Sequence, residues 1–147
     1  MDPQHERWPL TGPLVVDASI VVHACLEADG LALLEGFDLL APGIMWSEAL
    51  SSLHAGRYRG DITPELAGLA RRRLAEIAAR VVVHPTPDYA DRAWELADAY
   101  GWAKTYDAEY LALAEQLGCP VATIDERLKR GARGQTVLGP TELEMPA

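Results

Sequence analysis

The chain has 147 residues, 49% of them hydrophobic and 24% charged, with a formal net charge of −9. That length and composition describe one globular domain, and no apolar run approaches the roughly 20 residues that would span a bilayer. The acidic balance excludes loose cationic affinity for nucleic acid, while leaving room for a nucleic-acid enzyme with local basic patches.

Residues 1–13 carry no signal-peptide core and few core-type side chains, and read as a flexible arm ahead of a single domain over 14–147. Residues 14–17 read as a short buried strand, with Ser19 capping a helix through IVVHACLEA that Gly30 ends. LALLEG offers a further helical turn, and FDLLAP a second strand stopped by Pro42. In IMWSEALSSLHAG the spacing of Ile44, Trp46, Leu50 and Leu53 predicts a helix with those residues on one side. The next helix starts with Thr63 as cap and Pro64 in its first turn, and carries Leu66, Leu69, Ala70, Leu74 and Ile77 as its stripe. VVVH is a third strand, PDYADRAWELADAY a helix closed by Gly101, and TYDAEYLALAEQL a helix closed by Gly118. In the latter, Tyr106, Tyr110, Leu113, Ala114 and Leu117 follow the helical repeat. CPVATID, ERLKRGA and TVLG complete the chain as strand, short helix and strand. Short, continuously apolar strands alternating with helices predict an α/β domain whose mostly parallel sheet is covered on both faces.

Two strands end on an aspartate, Asp17 after LVV and Asp125 after VATI. Ligands of an open parallel sheet bind beyond the carboxyl ends of its strands, where the strand order reverses, so these two carboxylates can meet. Side by side they repel, and a divalent cation that prefers oxygen ligands, Mg²⁺ or Mn²⁺, is the economical neutraliser. Asp107 and Glu48, near the starts of their helices, are candidates for the same rim. Acidic residues there can also merely complement the helix macrodipole, and Asp17 can be an ordinary cap.

VVDAS, the glutamate in WSEALSSL, YDAEYLALAEQLG and VATIDERL resemble, in this order, the motifs of PIN-domain ribonucleases, above all the VapC-type toxins of toxin–antitoxin pairs. The resemblance runs from Leu14 to about Leu138. It implies a PIN-like three-layer fold with a parallel sheet of about five strands in the order 3-2-1-4-5. It also implies metal-dependent endonuclease action on RNA, with Mg²⁺ or Mn²⁺ held by Asp17, Glu48, Asp107 and Asp125. Ser19 and Thr123 match hydroxyls that support these carboxylates. A VapB-like antitoxin partner, seated over the helices at 44–56 and 63–78, and a homodimer follow from the same likeness. The metal would polarise a phosphate oxygen and activate a water.

Arg127, Lys129, Arg130 and Arg133 follow Asp125 closely and can grip RNA phosphates, or simply solvate a helix and turn. Trp102, beside Gly101 and just ahead of the Asp107 helix, is the better of the tryptophans for stacking on a base; Trp46 and Trp94 fit a core or interface. Cys25, Cys119 and the four histidines show no metal or redox spacing, which fits a reduced, cytoplasmic protein. Other readings of the acidic pocket are a receiver-like signalling module, a haloacid-dehalogenase-type phosphatase or a silent PIN domain used only for binding. The receiver would need an acidic pair before the first helix and a lysine late in the sheet. The phosphatase would need a second aspartate where Ser19 stands.

Overall fold

Among the residues that the computed structural model describes, 11–132 and 134–144, five strands pair in parallel in the order β3-β2-β1-β4-β5. They are β1 (Gly12–Val16), β2 (Phe37–Pro42), β3 (Val82–His84), β4 (Val121–Ala122) and β5 (Val137–Leu138). The chain builds β1, β2 and β3 outward to one side, then crosses back to lay β4 and β5 on the other. β1 and β4 therefore flank the point where the order reverses. Leu14, Val15 and Val16 are completely buried, as a central strand covered on both faces requires. The expected strand order and fold class hold. Coverage is poorest at the edge: β3 leaves Val82 58% exposed, and Val83 is exposed beside it.

β1 starts earlier than the sequence suggests. Gly12 and Pro13, assigned to the arm, pair with Phe37 and Asp38 of β2. Residues 1–10 of the arm lie outside the described residues.

The helices are α1 (Ala18–Leu26), α2 (Ile44–Arg59), α3 (Pro64–Ala78), α4 (Ala90–Tyr100), α5 (Tyr106–Leu117), α6 (Glu126–Gly131) and α7 (Pro140–Glu144). Short 3₁₀ turns at Gly30–Leu34 and Thr86–Asp88 precede β2 and α4. α1 is capped by Asp17 rather than Ser19: the Asp17 carboxylate accepts the Ile20 N–H at 3.0 Å, and Ser19 falls inside the first turn. The helix stops at Glu27, before Gly30. Thr63 caps α3 as expected, accepting the Leu66 N–H. Gly101 and Gly118 close α4 and α5 in the left-handed conformation that glycine adopts without steric cost.

Two predicted stripes shift. On α2 the buried side is Met45, Ala49, Leu53 and Gly56, and Leu50 is 52% exposed. On α5 every residue from Ala108 to Ala114 is buried, because this helix packs against β1, β2, β4 and α4 at once. A helix enclosed all round cannot display a one-sided stripe.

Gly30 sits where α1 hands over to the 3₁₀ turn. A Cβ there would lie 2.0 Å from the Ala24 carbonyl oxygen, a backbone atom that cannot swing aside. Gly30→Ala is expected to lower stability by about 1–3 kcal/mol through this forced shift. A thermal melt identical to wild type would show that the turn relaxes freely.

Candidate active site

Where β1 ends, Asp17 N–H donates to the Ala122 carbonyl of β4, so the two strands leave the sheet side by side. Asp17 is 5% exposed. One carboxylate oxygen accepts the Ser19 hydroxyl at 2.7 Å and the Ile20 N–H; the other accepts the Thr123 hydroxyl. Ser19 and Thr123 hydroxyls lie 3.1 Å apart, and the Ser19 oxygen also accepts the Ile124 N–H. Thr123 in turn accepts the Asp125 N–H at 2.9 Å, and the Asp125 carboxylate caps α6 by accepting from Arg127 and Leu128. The two loops that follow β1 and β4 are thus tied by hydroxyls at positions 19 and 123.

A cavity of about 220 Å³ opens beside this knot, lined by Asp17, Ser19, Glu48, Ser52, Asp107, Tyr110 and Asp125 among others. All four acidic residues singled out in the sequence reach it, from four separate elements. Glu48 lies in the second turn of α2 and accepts the Tyr110 hydroxyl at 2.6 Å. Asp107, in the first turn of α5, pairs with the Arg127 guanidinium at 3.0 Å.

Burial dominates the electrostatics. It pushes the Asp17 carboxyl up to about 6, against the pull of its three hydrogen bonds and with a push from Asp125. Burial also raises Glu48, which Asp107 and Asp125 raise further and Tyr110 lowers. Asp107 is raised by burial and by Asp125, and lowered by Arg127. Carboxylates that destabilise one another in this way make a site whose field calls for a cation.

Among the described residues, no three His, Cys, Asp or Glu side chains are placed to hold one ion as they stand. Asp107 is drawn aside by Arg127 and Glu48 by Tyr110. The donor set nevertheless fits Mg²⁺ or Mn²⁺. It is oxygen throughout, and Mg²⁺ needs one or two carboxylates because it keeps several of its waters.

Of the four basic residues after Asp125, Arg127 faces the acidic group. Lys129 lies 3.8 Å from Glu126, Arg130 is exposed on α6, and Arg133 lies outside the described residues. Cys25 is buried, its thiol pushed up to about 11 by desolvation, and both cysteines are free. Trp46 is partly buried against the core, whereas Trp94 is exposed.

Tyr110 and Ser52 are the lining residues that the sequence analysis missed. Both were legible in principle: Tyr110 lies three positions after Asp107, and Ser52 four after Glu48, hence on the same helix faces. Glu109, 6% exposed and bonded weakly to Thr105 and Thr86, had no such signal, since an acidic residue in a first turn reads as solvated.

Residues 14–134 match the family described as "PIN domain". A VapC ribonuclease of Mycobacterium bovis is 33% identical over 126 residues, which is 83% of this chain and 93% of that protein. In structure, PAE2754 from Pyrobaculum aerophilum superposes with a TM-score of 0.69 at 24% identity, over 90% of this chain and 94% of the other. VapBC2 from Rickettsia felis, crystallised with a DNA fragment from the promoter of the pair, gives a TM-score of 0.56 at 14% identity, over 86% and 98%.

Proposed function

This chain belongs to the PIN-domain family of VapC ribonucleases, and from that premise we propose that it is an endoribonuclease, the toxin of a VapBC-like pair, that uses Mg²⁺ or Mn²⁺. The observation that carries the reading is the convergence of Asp17, Glu48, Asp107 and Asp125 on one cavity at the sheet's reversal point. Asp17 and Asp125 come from the loops after β1 and β4, and Glu48 and Asp107 from the helix faces opposite. Together they would hold the ion, with Ser19 and Thr123 fixing the orientation of Asp17. When bound, the ion supplies Lewis-acid polarisation of a phosphate and a water acidic enough to attack phosphorus near neutral pH. Arg127 stands at the mouth, where its guanidinium can exchange Asp107 for an RNA phosphate.

The test is incubation of the purified protein with structured and single-stranded RNA, with Mg²⁺, with Mn²⁺ and with a chelator. Cleavage in metal alone, leaving 5′-phosphate and 3′-hydroxyl ends, is the expected result. Undiminished cleavage under chelation would exclude the metal, and no cleavage under any condition would leave a binding module.

Tyr110 gives a finer test. Its hydroxyl lowers the Glu48 carboxyl that burial raises. Tyr110→Phe removes that donor, so Glu48 ionises at higher pH. The acid limb of the pH–rate profile should move up, so that kcat falls most on the acid side and recovers as pH rises. An unmoved acid limb would show that Glu48 does not need its charge.

The partner has a plausible seat. Between α2 and α3 lies an open groove of about 820 Å³, lined by Leu50, His54, Tyr58, Pro64, Ala67 and Arg71 among others. Leu50 and Tyr58, 86% exposed, present apolar area with no neighbour among the described residues to cover it. An extended antitoxin segment would lie here and bring an arginine or lysine to the carboxylates. A homodimer and a cytoplasmic location belong to the same reading; no helix among the described residues is long and apolar enough to cross a membrane.

A further inference from the structure

A second cavity, of about 440 Å³, adjoins the acidic one and shares Glu48 and Asp107 with it as a common wall. Its other side is of different chemistry. Trp102, Lys104 and Tyr106 line it, together with Arg127. We infer that this cavity is a nucleotide subsite, which stacks one unpaired base of single-stranded RNA against Trp102 and Tyr106 and places the adjoining phosphate between Lys104 and Arg127. The inference rests on the ribonuclease reading of the acidic cavity and adds a place for the substrate beside it.

Four observations carry it. The volume lies within the roughly 300–1,000 Å³ usual for small-ligand sites. Tyr106 is the first residue of α5 and is 45% exposed, although the helix that it opens is buried throughout from Ala108 to Ala114. Lys104 Nζ stands 5.9 Å from the Tyr106 ring centre, so a cation and an aromatic face already share the wall. In a chain of net charge −9, Lys104 and Arg127 set two cations beside the Glu48 and Asp107 carboxylates, so basic donors for a phosphate are on hand at this wall.

Trp102 is held for the purpose. Its backbone N–H donates to the Ala97 carbonyl at the end of α4, and its ring meets Tyr100 edge-on at 5.0 Å. On another side the indole presses on Gly131 of α6, where a Cβ would come within 2.3 Å of the ring. A large aromatic fixed by its neighbours before the ligand arrives loses little freedom on binding. Stacking on such rings tolerates any base, since every base offers a π-face.

The experiment measures cleavage of a short fluorescein-labelled single-stranded RNA, and of the same RNA with one abasic nucleotide stepped through the positions around the cut. Tyr106→Ala, Lys104→Ala and Trp102→Ala are compared with wild type. Trp102→Phe serves as the conservative rescue, and thermal melts report folding. Tyr106→Ala should raise KM roughly tenfold or more, with a smaller change in kcat. That penalty should vanish on the one RNA whose abasic position falls in the cavity, because base and ring are then already uncoupled. Trp102→Ala should behave alike, and Trp102→Phe should recover most of the loss. Should Trp102→Ala fail to fold, Tyr106→Ala and Lys104→Ala still decide the matter, since both side chains are exposed.

Wild-type KM in both of these variants would overturn the subsite, as would penalties that multiply at every abasic position. If the wild-type protein cuts no RNA at all, the ribonuclease reading fails separately. Anisotropy of the same labelled RNA in Ca²⁺ then decides the subsite alone: weaker binding by Tyr106→Ala supports it, and unchanged binding ends it.

Discussion

Asp107→Asn and Asp125→Asn are each expected to slow RNA cleavage by about a thousandfold or more, with the far-ultraviolet circular dichroism unchanged. Asparagine keeps the shape of aspartate and loses its charge. At the carboxylate cavity, that charge is what would attract the proposed ion. Losing several kcal/mol of transition-state stabilisation converts at about 1.4 kcal/mol per factor of ten. The fold should survive. Asn caps a helix about as well as Asp, so α6 keeps its start when position 125 is changed. At position 107 the replacement breaks a half-exposed ion pair with Arg127, whose guanidinium is well solvated, and it removes a carboxylate that burial disfavours, so the net change in stability should be small. Wild-type turnover in both variants would remove these residues from the chemistry.

Asp17→Asn should do two opposite things. It should abolish cleavage, and it should stabilise the metal-free protein. The Asp17 carboxyl titrates near 6 in the folded chain against 3.8 for the ordinary group. Between these values the folded protein holds a proton that the unfolded chain has released, so unfolding free energy falls as pH rises through that window. Above about pH 6 the whole cost is present, about 3 kcal/mol at most for a shift of this size. An amide at position 17 is neutral at every pH. Its oxygen can still accept from Ile20 and Ser19, and its NH₂ can donate to Thr123. The variant should therefore melt a few degrees above wild type at pH 7 without metal, roughly 2–4 °C per kcal/mol, and should lose that advantage near pH 4. Added Mg²⁺ should raise the wild type and leave the variant nearly where it was. A difference in melting temperature that ignores pH would show that the buried carboxylate carries no such cost.

The ends of the strands were readable because an acid that interrupts an apolar run is costly to bury, and few arrangements justify it. Asp17 and Asp125 stood out in this way, and the parallel sheet then brought them together. Glu48 and Asp107 were candidates by position only as members of a set, since an acid early in a helix is ordinary by itself; the family likeness then added its weight. Asp17 also proved to be both alternatives at once: it caps α1 and it faces the cavity. The misplacements share a cause. Ser19 looked like the cap because Ser and Asp are equally good at it; in the fold Asp17 takes the Ile20 N–H, and the Ser19 hydroxyl turns to Asp17 and Thr123. Leu50 looked buried because it is apolar, yet Met45 and Ala49 meet the core and Leu50 meets the groove. Periodicity gives the width of an apolar face and leaves its exact bearing to packing. β4 and β5, two residues each, were legible through the longer stretches CPVATID and TVLG around them, whereas α7, five residues long, lies below the length at which pattern speaks.

The order in which the acidic wall is completed has a bearing on synthesis. Its members are spread from Asp17 to Asp125, and β4, which brings Thr123 to Asp17, is itself flanked by β5 at residues 137–138. A ribosome extends the chain from the N-terminus, so Asp17 and Glu48 emerge long before their counterparts. A nascent chain stalled or abandoned before position 107 carries at most two of the four carboxylates and lacks both strands on one side of the reversal point. Incomplete translation of this gene thus yields inert fragments, and a cell making the protein meets its activity only when nearly the whole chain has left the ribosome.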